Sequence, residues 1–334
     1  MTTTLAINGF GRIGRNVLRA LLESGREDLE IVAINDLGPV ETNAHLLEFD
    51  SVHGRFPGPV TVTGETIDAG RGPIRVTALR NPDALPWGDV DIVLECTGHF
   101  TDRDAAARHL KTGARRVLVS APAKGADRTV VYGVNHADLT PADVVVSNAS
   151  CTTNCLAPVA KVLHEAVGIT RGFMTTIHSY TGDQPTLDTM HRDLYRARAA
   201  ALNIIPTTTG AARAVGLVLP ELAGRLDGTA IRVPTPNVSA VDLTFEAARD
   251  TSAEEINAAM TEAAAGPLRG ILDVTGRELV SSDFNHNPMS AVFATDQTRV
   301  MDGHLVRVLA WYDNEWGFSN RMLDVAAEMG RRAA

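Results

Sequence analysis

The sequence predicts two domains, an α/β domain built on a doubly wound parallel sheet and an α+β domain with a mainly antiparallel sheet. The first half alternates helical patterns with continuous apolar runs, such as residues 90–98 and 142–150. Such runs are typical of strands buried on both faces of a parallel sheet. Residues 238–247 instead alternate apolar and polar side chains, as in an antiparallel strand with one face in water. The length of 334 residues also exceeds the roughly 250–300 at which single cores stop growing.

The elements of the first domain follow in a regular order. A strand over 4–10 precedes a helix over 11–25, in which Ile13, Val17 and Leu21 recur with helical spacing. Later apolar runs predict further strands at 30–36, 90–98, 115–123 and 142–150.

The second domain is predicted to begin near residue 150, where the alternation of strands and helices ends. Strands are expected at 238–247 and 304–313. Ser252 and Glu255 form a capping-box signature that predicts the start of a helix. A last helix closes the chain.

Composition excludes several classes of function. The formal charge of −9 argues against nucleic acid as the primary partner. No apolar run is long enough to span a bilayer, so we expect no membrane association. No leader is visible, and three cysteines are too few for a disulfide framework, so we expect a cytoplasmic protein.

Three glycines mark a candidate phosphate-binding turn. Gly9, Gly11 and Gly14 have the G-x-G-x-x-G spacing between a predicted strand and a predicted helix, and Asp36 ends the next strand. Backbone N–H groups at the helix start can hold a pyrophosphate, and the carboxylate can accept hydrogen bonds from a ribose. The order favours dinucleotide binding, with NAD preferred over NADP. The glycines alone could close a strand–helix corner, and Asp36 could only form a turn.

Two cysteines lie at the start of a predicted helix. Ser150 is a good N-cap residue, which places Cys151 in the first turn, where the helix dipole should lower the pKa of its thiol. Pro158 should kink or interrupt this helix. Cys155 lies one turn deeper, and we expect it to pack as a small buried side chain. The spacing disfavours a metal site.

A nucleophilic thiolate also needs a base. His178 ends an alternating segment at the edge of a loop, but position alone places it barely ahead of His164 or His191.

Six segments together resemble phosphorylating glyceraldehyde-3-phosphate dehydrogenase, and the resemblance runs from about residue 3 to 330. The segments are residues 7–15, 147–162, 177–184, 196–216, 232–244 and 311–322. The resemblance implies a Rossmann domain at 1–149, onto which the C-terminal helix at 315–334 packs back, and a catalytic domain at 150–314. It also implies a homotetramer, with the loop around 180–203 reaching a neighbour's cofactor site.

The resemblance makes Cys151 the nucleophile and His178 the general base. In that family, the thiolate attacks glyceraldehyde 3-phosphate to form a thiohemiacetal, hydride passes to NAD, and inorganic phosphate attacks the resulting thioester. The expected product is 1,3-bisphosphoglycerate, in glycolysis or gluconeogenesis.

The resemblance also assigns binding residues. The substrate-phosphate site matches Thr181, Asp183, Arg196 and Arg232. The site for the attacking phosphate matches Ser150, Thr152, Thr209 and Gly210. The cofactor site matches Gly9, Phe10, Gly11, Arg12, Ile13, Gly14, Asp36, Arg80, Thr97, Ser120 and Asn314. Thr189-Met190 matches neither the usual NAD nor the usual NADP pattern, so some NADP use stays open.

Two alternatives remain at this point. Residues 281–293 and 296–300 also resemble erythrose-4-phosphate dehydrogenase, which oxidises its sugar to 4-phosphoerythronate with the same cysteine and histidine. Residues 204–212 preserve the attacking-phosphate site that those enzymes tend to lose, so the triose reaction is preferred. A non-enzymatic redox-sensing or binding scaffold would leave the substrate-binding residues unexplained.

Overall fold

The computed structural model describes residues 2–332. Contacts divide the chain into two units. The first unit contains residues 2–130, 136–150 and 319–332, and the second contains 131–135 and 151–318. The division into domains at residues 149 and 150 stays a prediction.

The first unit is built around a nine-stranded sheet. Its strands and those of a separate hairpin, β3–β4, are β1 (Thr3–Asn8), β2 (Leu29–Asn35), β3 (Phe49–Asp50), β4 (Gly54–Arg55), β5 (Thr61–Thr63), β6 (Thr66–Asp68), β7 (Pro73–Thr77), β8 (Ile92–Glu95), β9 (Arg116–Val119), β10 (Arg128–Thr129) and β11 (Val145–Ser147). The helices are α1 (Arg12–Glu23), α2 (Val40–Glu48) and α3 (Arg103–Ala106). The sheet order is β10-β11-β9-β8-β1-β2-β7-β6-β5, and only the β5–β6 and β6–β7 pairs are antiparallel.

The centre of this sheet is fully buried. In β1, Leu5, Ala6 and Ile7 are inaccessible to solvent, which explains the continuous apolar run of the sequence. The strand order reverses direction around β1, so the carboxyl ends of β1 and β8 are the expected place for a ligand.

The second unit is built around an eight-stranded sheet. Its strands are β12 (Ile169–Ser179), β13 (Ile205–Thr208), β14 (Leu226–Val233), β15 (Ser239–Ala247), β16 (Leu272–Thr275), β17 (Ala291–Ala294), β18 (Arg299–Met301) and β19 (Leu305–Tyr312). The helices are α4 (Cys151–Val167), α5 (Ala211–Val218) and α6 (Ala253–Ala265). Five strand pairs are antiparallel and two, β12–β14 and β16–β17, are parallel. Both parts of the predicted fold class are confirmed.

The last helix is α7 (Trp316–Arg331). From Ser319 onward it belongs to the first unit, where Asp324 forms an ion pair of 2.7 Å with Arg26 and the Met329 carbonyl accepts from Arg116. Residues 333 and 334 of the predicted helix lie outside the described residues.

Two local predictions have different outcomes. The Ser252 side chain accepts from the Glu255 N–H at 3.2 Å, which confirms the start of α6. Pro158 does not interrupt α4, which runs unbroken through it, and the kink expected as the alternative stays a prediction. Burial holds the helix together: Leu156, Ala157 and Val159 are all inaccessible to solvent.

Candidate active site

The three glycines of the turn in the first unit lie in different environments. Gly9 has φ +92°, and a Cβ there would lie 2.7 Å from the Thr97 nitrogen. A Cβ on Gly14 would lie 2.2 Å from the Gly9 carbonyl oxygen, whereas a Cβ on Gly11 would meet no atom within 4 Å. The outer two glycines therefore permit close backbone packing, and Gly11 leaves open space at the start of α1. This arrangement fits a pyrophosphate.

A pocket opens beside this turn. It is lined by Asn8, Gly9, Gly11, Asn35, Asp36, Leu37, Leu79, Arg80, Cys96, Thr97, His99 and Phe100. Gly9, Gly11, Asp36, Arg80 and Thr97 were predicted from the sequence to bind the cofactor. Phe10, Arg12, Ile13, Gly14 and Ser120 do not line this pocket.

Asp36 forms turn contacts and also lines the pocket. Its carboxylate accepts from the Phe10 N–H at 2.8 Å and from the Gly38 N–H at 3.1 Å, so it fixes the glycine turn and its own turn. It also lines the pocket, as a ribose ligand must.

Arg12 is paired with Asp50. Burial alone would raise the pKa of Asp50, but hydrogen bonds from Arg12 and from the N–H groups of His53 and Val52 lower it to about 2. Asp50 is therefore ionised, and it holds the guanidinium beside α1.

Sequence reasoning missed a buried network beneath the pocket. Glu95 is 1% exposed and accepts from Asn8 Nδ2 at 2.6 Å, from His109 Nε2 at 2.9 Å, and from both the N–H and hydroxyl of Thr97. Trp87 donates to His109 Nδ1 at 3.0 Å, which places the remaining ring proton on Nε2, facing the carboxylate. The network fixes the ends of β1 and β8, where the pocket lies.

Cys151 and His178 meet in the second unit. Cys151 is the first residue of α4 and is half-buried, and its Sγ lies 3.5 Å from His178 Nε2. Met174, Thr176 and His178 alternate inward along β12, which brings the imidazole beneath the start of the helix. Cys155 is fully buried one turn further along. The other candidate bases, His164 and His191, bond locally to Ile169 and Asp193.

His178 Nδ1 has two polar neighbours. It lies 2.7 Å from the Ser179 carbonyl oxygen, which can only accept, and 2.9 Å from Arg232 Nη1, which can only donate. In the tautomer whose Nδ1 proton points at Ser179, Nε2 presents its lone pair to the thiol. Arg232 Nη1 lies 2.9 Å from the same carbonyl and 3.1 Å from the Thr181 hydroxyl, to both of which it donates.

Burial drives both members of this pair toward their neutral forms. It raises the pKa of the Cys151 thiol, against the opposing charge of Arg232. Burial and Arg232 together lower the pKa of His178 to about 3. The backbone N–H groups of the helix start do lower the pKa of the thiol, as predicted, but burial has the larger effect and the net shift is upward.

A thiolate nevertheless remains accessible by proton transfer within the pair. Moving the proton from Sγ to Nε2 leaves the net charge unchanged, and two unit charges 3.5 Å apart attract by about 5 kcal/mol at an effective dielectric constant of 20. The imidazolium therefore offsets part of the free-energy cost of a buried thiolate.

The four residues predicted for the substrate phosphate are connected. Arg232 donates to Thr181, the Thr181 hydroxyl donates to Asp183, and Asp183 pairs with Arg196. Arg196 also lies 3.6 Å from Asp193, so two carboxylates neutralise it. Arg232 forms no ion pair within residues 2–332, and its Nε is buried without a partner. An anion is the natural partner for this charge.

The residues predicted for the attacking phosphate lie at two helix starts. Ser150 immediately precedes α4, and Gly210 is the N-cap of α5, beside Thr209, whose hydroxyl accepts from the Ala211 N–H at 3.1 Å. The Thr153 hydroxyl donates to the Ala211 carbonyl at 3.4 Å, which joins the first turns of both helices. Two neighbouring helix N-termini favour an anion.

Tyr312 is a further residue that sequence reasoning missed. It is 2% exposed, and its hydroxyl lies 2.9 Å from those of both Thr152 and Thr176. Its ring meets the edge of His178 at 6.0 Å between centroids. The alternation of β19 could have indicated an inward-facing side chain here, but not its contact with β12.

Asn314 follows β19 and is 4% exposed. Its Oδ1 accepts from the Ser179 and Ser239 hydroxyls, each at 2.9 Å.

Two features are absent from the part of the chain that the structure describes. Over residues 2–332, no group of three or more His, Cys, Asp or Glu side chains is arranged to hold a metal ion. In the same range, no helix combines the length and apolar character needed to cross a membrane.

Comparison with known proteins gives a consistent result. Residues 3–103 match the family model "Glyceraldehyde 3-phosphate dehydrogenase, NAD binding domain", and residues 150–314 match "Glyceraldehyde 3-phosphate dehydrogenase, C-terminal domain".

Curated relatives named glyceraldehyde-3-phosphate dehydrogenase match over nearly the whole chain. The one from Cereibacter sphaeroides is 73% identical over 331 residues, which cover 99% of each chain. The one from Xanthobacter flavus is 73% identical over 333 residues, with the same coverage, and the one from Geobacillus stearothermophilus is 56% identical over 330 residues, 98% of each chain.

Proposed function

Because the chain belongs to the glyceraldehyde-3-phosphate dehydrogenase family, we propose that it converts D-glyceraldehyde 3-phosphate to 1,3-bisphosphoglycerate by NAD-dependent oxidative phosphorylation, in glycolysis or gluconeogenesis. The family predicted from the motifs, the assignment as an oxidoreductase and the NAD cofactor are confirmed. Nothing favours the erythrose-4-phosphate alternative.

The contact between Cys151 and His178 is the observation that carries the mechanism. The neutral Nε2 of His178 takes the thiol proton, and the Cys151 sulfur bonds to the aldehyde carbon, which gives a thiohemiacetal. The imidazolium gives that proton to the former aldehyde oxygen, which completes the thiohemiacetal hydroxyl. His178, neutral again, then accepts the hydroxyl proton during the oxidation. Bound NAD supplies the hydride acceptor for this oxidation. The cysteine then carries a thioester, and an oxygen of inorganic phosphate attacks it, so that the C–S bond breaks and the acyl phosphate leaves.

The two phosphates are assigned to the two groups of residues that favour anions. Arg232, with Thr181, Asp183 and Arg196, would hold the phosphate of the substrate. Ser150, Thr152, Thr209 and Gly210, at the two helix starts, would hold the attacking phosphate. Asp183 acts by orienting Arg196, because it pairs with that guanidinium.

The proposed cofactor residues are those that the sequence resemblance assigned. The glycine turn would hold the pyrophosphate and Asp36 a ribose, and Asn314 would hold the carboxamide of the nicotinamide. The full proposed set is Gly9, Phe10, Gly11, Arg12, Ile13, Gly14, Asp36, Arg80, Thr97, Ser120 and Asn314.

The remaining sequence-based expectations are part of this proposal. We propose a homotetramer in the cytoplasm. We also propose an NAD-binding domain at 1–149, onto which the C-terminal helix at 315–334 packs back, and a catalytic domain at 150–314. The exposed apolar side chains of the loop after β12, Leu187, Met190, Leu194, Leu202 and Ile204, support burial against another subunit.

One assay tests the proposal. NADH formation is measured with glyceraldehyde 3-phosphate in the presence and absence of inorganic phosphate, beside the same assay on erythrose 4-phosphate. Fast, phosphate-dependent turnover of the triose is expected. Faster, phosphate-independent turnover of the tetrose would refute the proposal.

A further inference from the structure

The side-chain amide of Asn314 is held in one orientation. Ser179 and Ser239 both donate to its Oδ1 at 2.9 Å, and both serines are essentially inaccessible to solvent. The Ser239 oxygen also accepts from the Ser179 backbone N–H at 3.1 Å. The amide oxygen therefore sits between two hydroxyl donors.

Reversal of this amide would leave a hydroxyl proton without an acceptor. With Nδ2 in place of Oδ1, both hydroxyls would face a donor, and only one could redirect its proton, toward the other serine at 3.5 Å. A buried donor without a partner costs about 1–3 kcal/mol. We call Ser179 and Ser239, with their hydrogen bonds to Oδ1, the clamp. The clamp fixes which end of the amide is presented to a ligand.

The presented end is Nδ2. Within residues 2–332 it has no hydrogen-bond acceptor, yet it is not among the enclosed polar atoms without partners, so it reaches an accessible surface. It offers two N–H donors, and a carbonyl oxygen is the complementary ligand group.

The backbone on both sides of Asn314 is also fixed. One oxygen of Asp313 accepts from the N–H groups of Glu315 and Trp316, at 2.9 and 2.8 Å. The other accepts from Asn237 Nδ2 at 2.8 Å. Neither the main chain nor the amide of Asn314 is free to turn.

The same clamp reaches the general base. The Ser179 carbonyl oxygen lies 2.7 Å from His178 Nδ1, and the Ser179 hydroxyl donates to Asn314. One residue therefore contacts the base with its main chain and orients the amide with its side chain.

We propose that Ser179 and Ser239 are positioning residues that lock Asn314 so that its Nδ2 donates to the carboxamide oxygen of the nicotinamide. This inference rests on the proposed function, because it takes NAD as the ligand of Asn314. The clamp raises the affinity for NAD+ by removing the alternative amide orientation before binding.

The test compares two ligands. Dissociation constants for NAD+ and for ADP-ribose, which lacks the nicotinamide, are measured by titration calorimetry on the full chain. In Ser239→Ala and Ser179→Ala we expect NAD+ affinity to fall about fivefold, and in the double variant more than tenfold, with ADP-ribose affinity unchanged. Equal losses for both ligands, or no loss of NAD+ affinity, would overturn the clamp.

Two further variants distinguish loss of the clamp from general destabilisation of the core. Ser290→Ala removes a buried hydroxyl that has no partner among residues 2–332, so it should change neither affinity. Ser239→Thr keeps the hydroxyl and should bind NAD+ within twofold of wild type. A loss in Ser239→Thr equal to that in Ser239→Ala would contradict the role of the hydroxyl.

Failure of the clamp and failure of the proposed function give different results. A wild-type protein that binds NAD+ with the expected variant pattern, but does not oxidise glyceraldehyde 3-phosphate, would refute the function and support the clamp. Normal triose oxidation with unaltered NAD+ affinity in the double serine variant would refute the clamp alone.

Discussion

Substitutions at different glycines of the β1–α1 turn should affect folding and cofactor binding separately. In Gly14→Ala the new methyl would lie 2.2 Å from the Gly9 carbonyl oxygen, which is backbone and cannot move aside as a side chain can. Overpacking of this kind costs about 1–3 kcal/mol. A domain of this size loses about 2–4 °C of melting temperature for each kcal/mol, so we expect a fall of about 2–12 °C.

Gly11→Ala is the matched control, since it adds the same methyl to open space. Gly11 is the N-cap of α1, with φ −74°, a conformation that alanine adopts without strain. Alanine is less favourable than glycine at an N-cap, which lowers stability. Alanine also restricts the unfolded chain, which raises stability, so the two effects oppose each other. Stability should therefore change by less than about 1 kcal/mol, while NAD+ affinity falls at least tenfold because the methyl occupies the pyrophosphate position.

The assay is a thermal unfolding curve for each variant, followed by calorimetric titration with NAD+. A Gly14→Ala protein that melts within 1 °C of wild type would refute the packing argument. Wild-type NAD+ affinity in Gly11→Ala would refute the position assigned to the pyrophosphate.

The nucleophile and the base give two further predictions. Cys151→Ser should abolish triose oxidation and leave NAD+ affinity largely intact, whereas Cys155→Ala should retain the reaction; steady-state assays check both, and full activity in Cys151→Ser would disprove the assignment. His178→Asn should shift the pH profile of Cys151 alkylation by iodoacetamide to higher pH, because burial raises the pKa of a thiol that has lost its proton acceptor. An unchanged profile, measured by mass spectrometry of the modified peptide, would show that the imidazole does not support the thiolate.

Local features of the site were predictable from the sequence because they depend on neighbours along the chain. The glycine spacing gave the turn at Gly9, and the strand-to-helix junction placed Cys151 at the start of α4. The contact of Cys151 with His178 depends on β12 passing beneath that helix, and only resemblance to a family singled out the histidine.

Contacts between distant strands were not predictable. Glu95 meets His109 and Asn8 through three separate segments, and no periodicity marks a charge that will be buried. The thiol pKa was also misjudged, because the sequence shows the helix start but not the burial of Cys151, which has the larger effect.

The unneutralised charge of Arg232 explains why substrate binding and base catalysis belong together in the proposed mechanism. Arg232 lowers the pKa of His178, after the larger effect of burial, and it also favours the Cys151 thiolate. During thiol deprotonation these two influences oppose each other, because the pair remains neutral overall. In the oxidation step the sulfur is already bonded to carbon, so His178 must hold a proton without a thiolate beside it. In the proposed mechanism, the substrate phosphate on Arg232 would cancel this repulsion and so assist the step in which His178 holds a proton without a thiolate beside it.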